Sequence, residues 1–377
     1  MNGRFELEKV PGGQSDFILI LTIILLAGCG FSALFSASYS YAGRYFNDSF
    51  LFIRKQLILG AVGTSLGFAA YKMPKDFIRR YTPLLLVGTM FLILLTFIPG
   101  LGEEVLGARR WIFLFGFSFQ PSELAKLAVI LYLANIFDKK KDRMNDLVNT
   151  IIPPLIITAV VISLVLMQND FSTAVFILLV GLVMFFMAGV SILYFLYLII
   201  AIIPLSVMLL FTKPHRVERL IAFINPETDP VGSGYQVIAA RSALESGGLW
   251  GAGIGNGLKK LGGLPEVHSD FIFASTAEEV GFIGVMSIIL LFLGFASRGF
   301  IRGYRSASRY DFLLSFGLTF CILYQALFNL AVVSGLVPAT GIPLPFFSSG
   351  GSSLIVTLIM CGLLLGVTRR QNGDGRK

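Results

Sequence analysis

Ten apolar runs of roughly bilayer-crossing length dominate the chain, beginning near Phe17, Gln56, Tyr81, Pro121, Thr150, Ser172, Ser191, Phe271, Asp311 and Ser352. A helix of about 20 apolar residues spans the hydrocarbon core and satisfies its own backbone, so such runs restrict the fold severely. They predict an all-α polytopic membrane protein with about ten transmembrane helices, forming a single transmembrane domain over residues 1–377. One large loop, residues 213–270, separates the seventh helix from the eighth. Composition agrees: 55% of residues are hydrophobic and 14% charged. The mean hydropathy is +0.79, far above that of a water-soluble domain of this length. The first run is longer than a signal-peptide core and lacks a small-residue cleavage site after it, so it reads as a retained helix. No fixed-period repeat is visible, and the unequal loops do not suggest inverted halves.

Charge placement gives the orientation. With the N-terminus inside, eighteen of the thirty Lys and Arg fall in cytoplasmic segments and eleven outside, while Lys126 is intramembrane. Each short inside segment after the first carries four cations, and two outside ones carry none, as the positive-inside rule requires. Both termini are therefore expected in the cytoplasm. The net charge of +8 follows from topology and does not point to nucleic acid. Cys29, Cys321 and Cys361 lie inside apolar runs and form no metal or redox motif.

Ionisable side chains well inside the apolar runs are few, and such groups usually face protein or water. Glu123 and Lys126, three residues apart, share a face of the fourth helix, and Glu123 sits in the first turn after Pro121. A structural ion pair and a functional pair are both open readings. Glu278 and Glu279 lie eight and nine residues beyond Asp270, roughly 12 to 14 Å along a regular helix. Adjacent positions differ by about 100°, so at most one of them faces a given partner.

The long loop collects both histidines, His215 and His268. It also carries Lys213, Arg216, Arg219, Arg241, Lys259 and Lys260, balanced by Glu218, Glu227, Asp229, Glu245, Glu266 and Asp270. A glycine-rich stretch from Gly247 to Gly263 matches no nucleotide-binding pattern and reads as a flexible loop. A carboxylate at the outer interface can deprotonate a hydroxyl, and nearby Arg and Lys can neutralise a phosphate leaving group. A sugar transferase with a lipid-phosphate donor needs both, although carriers and channels are the commoner explanations of ten helices.

Five segments resemble motifs of the SEDS (shape, elongation, division and sporulation) family. They are GARRWI (Gly107 to Ile112), QPSELAK (Gln120 to Lys126), AFINPETDPVGSGYQ (Ala222 to Gln236), LPEVHSDFIFASTAEEVGFIG (Leu264 to Gly284) and GLVPATGIPLPFFSSGGSS (Gly335 to Ser353). The resemblance runs from the first span to the last and keeps the motif order. It implies a peptidoglycan glycosyltransferase that polymerises lipid II at the outer face of the cytoplasmic membrane and releases undecaprenyl pyrophosphate. Implied partners are lipid II, the growing glycan strand, a class B penicillin-binding protein and divisome proteins. The family's catalytic aspartate falls on Asp270. Substrate-binding roles are implied for Arg110, Glu123, Lys126, Arg219, His268, Glu278 and Glu279. Gln236 after Tyr235 resembles the division and sporulation branch, so a septal role is expected. Three positions depart from the family pattern: Ala239 and Ala240 replace a common Gln-Ser pair, Ser349 replaces an aromatic residue, and Asn169 replaces a frequent proline.

A divalent cation, magnesium or manganese, is expected to bridge substrate phosphate, with its ligands unassigned. His215, Glu266, His268 and Asp270 are ordinary ligand types, but their spacing matches no metal motif, and no protein metal site is assigned. Two other functions stay open: a flippase for the lipid-linked precursor, and a scaffold that recruits the penicillin-binding protein.

Overall fold

The computed structural model describes residues 16–105, 107–114, 117–144, 146–228, 232–258, 268–306 and 308–373. Asp229, Lys259, Lys260 and Glu266, named above in the long loop, lie outside the described residues. The described chain is mostly helical, with α1 (Phe17–Phe46), α2 (Leu51–Lys72), α3 (Lys75–Leu95) and α4 (Pro121–Lys139), then α5 (Ile152–Met167), α6 (Phe171–Met187), α7 (Ile192–Phe211) and α8 (Pro214–Ile224). It continues through α9 (Ser233–Gly247), α10 (Ile272–Tyr304), α11 (Arg309–Val333) and α12 (Gly351–Gly373).

Among the described residues, six helical segments are long and apolar enough to cross a membrane: α1, α3, Leu147–Met167, α10, α11 and Gly351–Arg369. The segment Leu147–Met167 enters α5 through a π-helical turn. Each of the ten apolar runs in the sequence begins within a few residues of a helix start.

Two features add to the mostly helical architecture. Three strands, β1 (Gly102–Val105), β2 (Ala108–Leu114) and β3 (Phe117–Phe119), form an antiparallel sheet in sequence order. Gly102 pairs with Ile112, and Ile112 with Phe119. The described residues between α7 and α10 include two further helices, α8 and α9.

At the centre of the bundle lies α4, whose side chains are buried almost all round. A helix apolar on every face belongs inside rather than at a solvent or lipid boundary. Its few polar groups must then be paired within the protein.

The most unusual backbone is in α10. At Gly281 (φ 66°, ψ −172°) the helix breaks, in a region that is essentially open to glycine alone. The break frees backbone groups that the glycine-rich segment after α9 takes up. Phe282 and Ile283 donate N–H bonds to the carbonyls of Gly248 and Leu249 at 2.9 and 3.2 Å, while Ala252 and Gly253 donate to those of Glu278 and Glu279 at 2.9 and 3.0 Å. A Cβ on Gly281 would lie 2.3 Å from the Gly251 nitrogen, and one on Gly251 would lie 2.1 Å from the Glu279 carbonyl oxygen. The described part of the glycine-rich stretch, expected to be a flexible loop, is thus a backbone splint across a broken helix. Gly281→Ala is expected to cost about 1–3 kcal/mol from backbone strain alone, with the clash added, and to lower the melting temperature of the detergent-solubilised protein sharply. A near-wild-type melting curve would show the crossing to be loose.

Ion pairs tie the far end of the bundle. Asp16 caps α1, accepts from the Leu19 N–H at 3.2 Å and pairs with Arg302 at 2.7 Å and Arg298 at 3.7 Å on α10. Burial works against the charge of Asp16, but Arg302, the Leu19 amide and Arg298 together hold its carboxyl below the usual range.

Candidate active site

Asp270 lies in the turn that leads into α10, and neighbouring segments fix this turn through its main chain. Asn329 of α11 donates through its side-chain amide to the Asp270 carbonyl at 2.9 Å and to the Ile342 carbonyl at 2.9 Å. Ser348 donates to the Ser269 carbonyl at 2.8 Å, and the Ser349 N–H donates to the His268 carbonyl at 3.0 Å. Held in this way, the Asp270 carboxylate accepts from Ser269 Oγ at 3.1 Å and lines a cavity of about 490 Å³.

Three guanidiniums line the same cavity: Arg110 from β2, and Arg216 and Arg219 from α8. Strand period places Arg110 on the side of the buried Ala108 and Ile112. The Arg110 guanidinium donates to the Asn169 carbonyl at 3.0 Å and stands 3.8 Å from the carboxylate of Asp170, the N-cap of α6. Arg219 donates to the Ala339 carbonyl at 3.5 Å. Arg216 donates to Thr212 Oγ1 at 3.2 Å and lies over the Phe171 ring, 4.9 Å from its centroid. Helical spacing of three places Arg216 and Arg219 on one face of α8.

These cations crowd one another. Burial first, and then Arg110, push the Arg219 guanidinium down from its usual range, while Asp270 and Asp170 pull it back. Arg216 is lowered by burial and by Arg110. Arginine stays charged through such shifts, so an anion entering the cavity would relieve real repulsion. Among the described residues, the buried Arg110 Nε and Thr340 Oγ1 on its walls have no hydrogen-bond partner. Protein interiors seldom leave such groups unpaired unless a ligand or water serves them. A Cβ on Gly341 would lie 3.4 Å from Asp270 Oδ2 and 3.9 Å from Arg110 Nη1, so glycine keeps open the space between acid and base.

The other expected site residues do not line the cavity. Lys126 sits behind its aromatic wall, 5.0 Å from the centroid of Phe176. Its ammonium pairs with Glu123 at 2.8 Å and donates to Gln325 Oε1 at 2.8 Å. The His268 ring packs between Phe52 and Tyr41, with centroids at 4.5 and 4.9 Å. Glu278 accepts from the Leu258 N–H at 2.9 Å, and Glu279 accepts from Ser36 Oγ at 2.6 Å. No three His, Cys, Asp or Glu side chains come together as a metal site among the described residues.

Residues 3–373 match the family model of FtsW, RodA and SpoVE, described as cell cycle proteins. The chain belongs to the SEDS family. It is 38% identical over 358 residues, 95% of this chain and 98% of the relative, to the probable peptidoglycan glycosyltransferase FtsW of Geobacter sp. strain M18. To stage V sporulation protein E of Bacillus subtilis strain 168 it is 37% identical, covering 94% of this chain and 97% of the relative. Among solved structures, the rod shape determining protein RodA of Thermus thermophilus superposes with a TM-score of 0.69 at 26% identity, covering 95% of this chain and 97% of that one. A chain from a structure described as a peptidoglycan synthase complex, coordinating polymerization and crosslinking, gives 0.76 at 27% identity, with 95% and 98% covered. As a SEDS family member with several bilayer-length apolar helices, the chain is an integral membrane protein.

Around this cavity, the sequence alone does not single out Arg216, Asp170 or Asn329 as site residues. The departure at Asn169 has a structural correlate: its φ is 60°, which asparagine tolerates and the proline ring forbids. Its side-chain amide donates to the Gly107 carbonyl at 3.0 Å, joining the loop before α6 to the hairpin that carries Arg110. Ala239 and Ala240 are buried, and nothing in the structure explains the replacement of the polar pair.

Proposed function

We propose that the protein is a peptidoglycan glycosyltransferase that polymerises lipid II at the outer face of the cytoplasmic membrane during septal wall synthesis. The observation that carries this reading is a carboxylate and three guanidiniums on the walls of one cavity. Asp270 takes the proton of the acceptor sugar hydroxyl as the hydroxyl oxygen attacks the donor's anomeric carbon. The bond from that carbon to pyrophosphate breaks, and undecaprenyl pyrophosphate leaves with the electron pair, inverting the anomeric centre. Arg110, Arg216 and Arg219 neutralise the charge that develops on the leaving group, the class of interaction that usually contributes most to such catalysis.

Lys126 was expected to share that task, but its charge is spent on Glu123 and Gln325 behind the cavity wall, so it is assigned to holding the wall. Magnesium or manganese would supply further charge neutralisation to the pyrophosphate. The described residues do not build it a ligand set, so such an ion would be held chiefly by the phosphates.

The bundle is proposed to span the bilayer ten times, with both termini cytoplasmic and the Asp270 cavity outside. A class B penicillin-binding protein and other divisome proteins are its proposed partners, supported by the likeness to a synthase complex.

Loss of one donor aimed at developing charge typically costs about 10²–10³-fold in turnover. Arg219→Ala is therefore expected to reduce polymer formation by that order while leaving the melting temperature near wild type. Reconstitution in liposomes with labelled lipid II tests the assignment as a whole. Glycan polymer supports it, and transport of intact precursor across the bilayer without polymer would replace it with the flippase.

A further inference from the structure

We infer that residues 248–258 form a lipid-embedded anchor at the membrane surface on the Asp270 side, with Trp250, Ile254 and Leu258 seated among the lipids. This goes beyond the proposed reaction and does not depend on it. Between Gly247 and Leu258 the sequence carries no charge, although the flanking loop is rich in ions. Apart from Asn256, whose exposed amide donates to the Ala252 carbonyl at 3.3 Å, its large exposed side chains are apolar: Trp250 is 80% exposed, Ile254 74%, Leu258 73% and Leu249 64%. The backbone pairing across the α10 break sets Gly248 and Leu249 beside Phe282 and Ile283, which are themselves 57% and 45% exposed. One apolar surface therefore continues from the segment onto the helix.

The depth of that surface follows from α10. Before the break, Ile272 to Glu279 are buried within the protein. After it, no charge occurs until Arg298, seventeen residues from Gly281 or about 26 Å of helix. A hydrocarbon core is about 30 Å thick, so with Arg298 and Arg302 at one boundary the break lies close to the other. A tryptophan at that level sits where interfacial aromatic residues are enriched. The four backbone bonds across the break pair the carbonyls of Gly248 and Leu249 and the amides of Ala252 and Gly253, which lowers the cost of an irregular segment at this depth. Water is a poor occupant for four large exposed apolar side chains, and lipid is the occupant that the geometry supplies.

Fluorescence in lipid nanodiscs tests the inference. The chain has two tryptophans, so Trp111→Phe isolates Trp250. The difference between wild type and Trp250→Phe gives the same signal if the first variant does not fold. Phosphatidylcholine brominated on its acyl chains is expected to quench Trp250 several-fold more than aqueous iodide does. Stronger quenching by iodide would place the residue in water and overturn the proposal. Protection from both quenchers would also overturn it, because the surface would then be covered by protein, such as a second copy of the chain. Neither readout depends on glycan synthesis, so failure here is distinguishable from failure of the proposed reaction.

Discussion

Asp270→Asn is expected to abolish glycan polymerisation by the purified protein while leaving it folded. The amide keeps the shape of the carboxyl and can still accept from Ser269 Oγ, now 3.1 Å from Oδ1. The bonds that fix the turn run through the carbonyls of His268, Ser269 and Asp270, which the substitution does not touch. What disappears is the proton acceptor. Loss of a general base removes about 10²–10⁴-fold, and the amide also withdraws a negative charge from between the cavity arginines. Gel analysis of polymer from labelled lipid II, beside a melting curve, checks both halves. Undiminished polymer would remove Asp270 from the mechanism, and a collapsed melting curve would make it a folding residue.

Lys126→Met should destabilise the protein more than any cavity substitution. Glu123 and Lys126 are each 3% exposed, and removing one partner strands the other charge in the bundle core. Breaking a buried pair in this way costs about 3–5 kcal/mol, whereas replacing both charges together is often close to neutral. The double variant Glu123→Gln, Lys126→Met is therefore expected to recover most of the lost melting temperature. Its activity then separates the two readings of the pair. Recovered polymer formation supports a role in holding the cavity wall through Phe176 and Gln325. A stable but inactive double variant would show that the charges themselves act on substrate.

The helices were legible because a membrane span is written as an uninterrupted apolar run, and each run starts near a helix that the structure contains. The sheet of β1, β2 and β3 was not. Its strands are short, and β1 carries the adjacent charges of Glu103 and Glu104, so no alternation stands out. The break in α10 was hidden because a glycine inside an apolar run is ordinarily tolerated. Only the pairing with residues 248–253 shows why Gly281 must be glycine. A better signal existed for α8, where Pro214 at the start and Arg216 and Arg219 at a spacing of three suggest a helix presenting two cations together.

At the site, the resemblance placed Asp270, Arg110 and Arg219, which line one cavity. His268, Glu278 and Glu279 were legible as unusual residues, but their contacts depend on which segments meet in space. Asn329 carries no charge, so it does not stand out in the sequence as the ionisable groups do. It stands four residues beyond Gln325 in α11, and the two amides clamp the loop before α12 through the carbonyls of Ile342 and Pro343. Amides at helical spacing in an apolar run are a signal in their own right.

A structure of the Asp270→Asn protein with bound lipid II would locate the substrate directly. Pyrophosphate among Arg110, Arg216 and Arg219, with a sugar hydroxyl within about 3 Å of the residue 270 side chain, is the predicted arrangement. A saccharide bound anywhere that the residue 270 side chain cannot reach would contradict it.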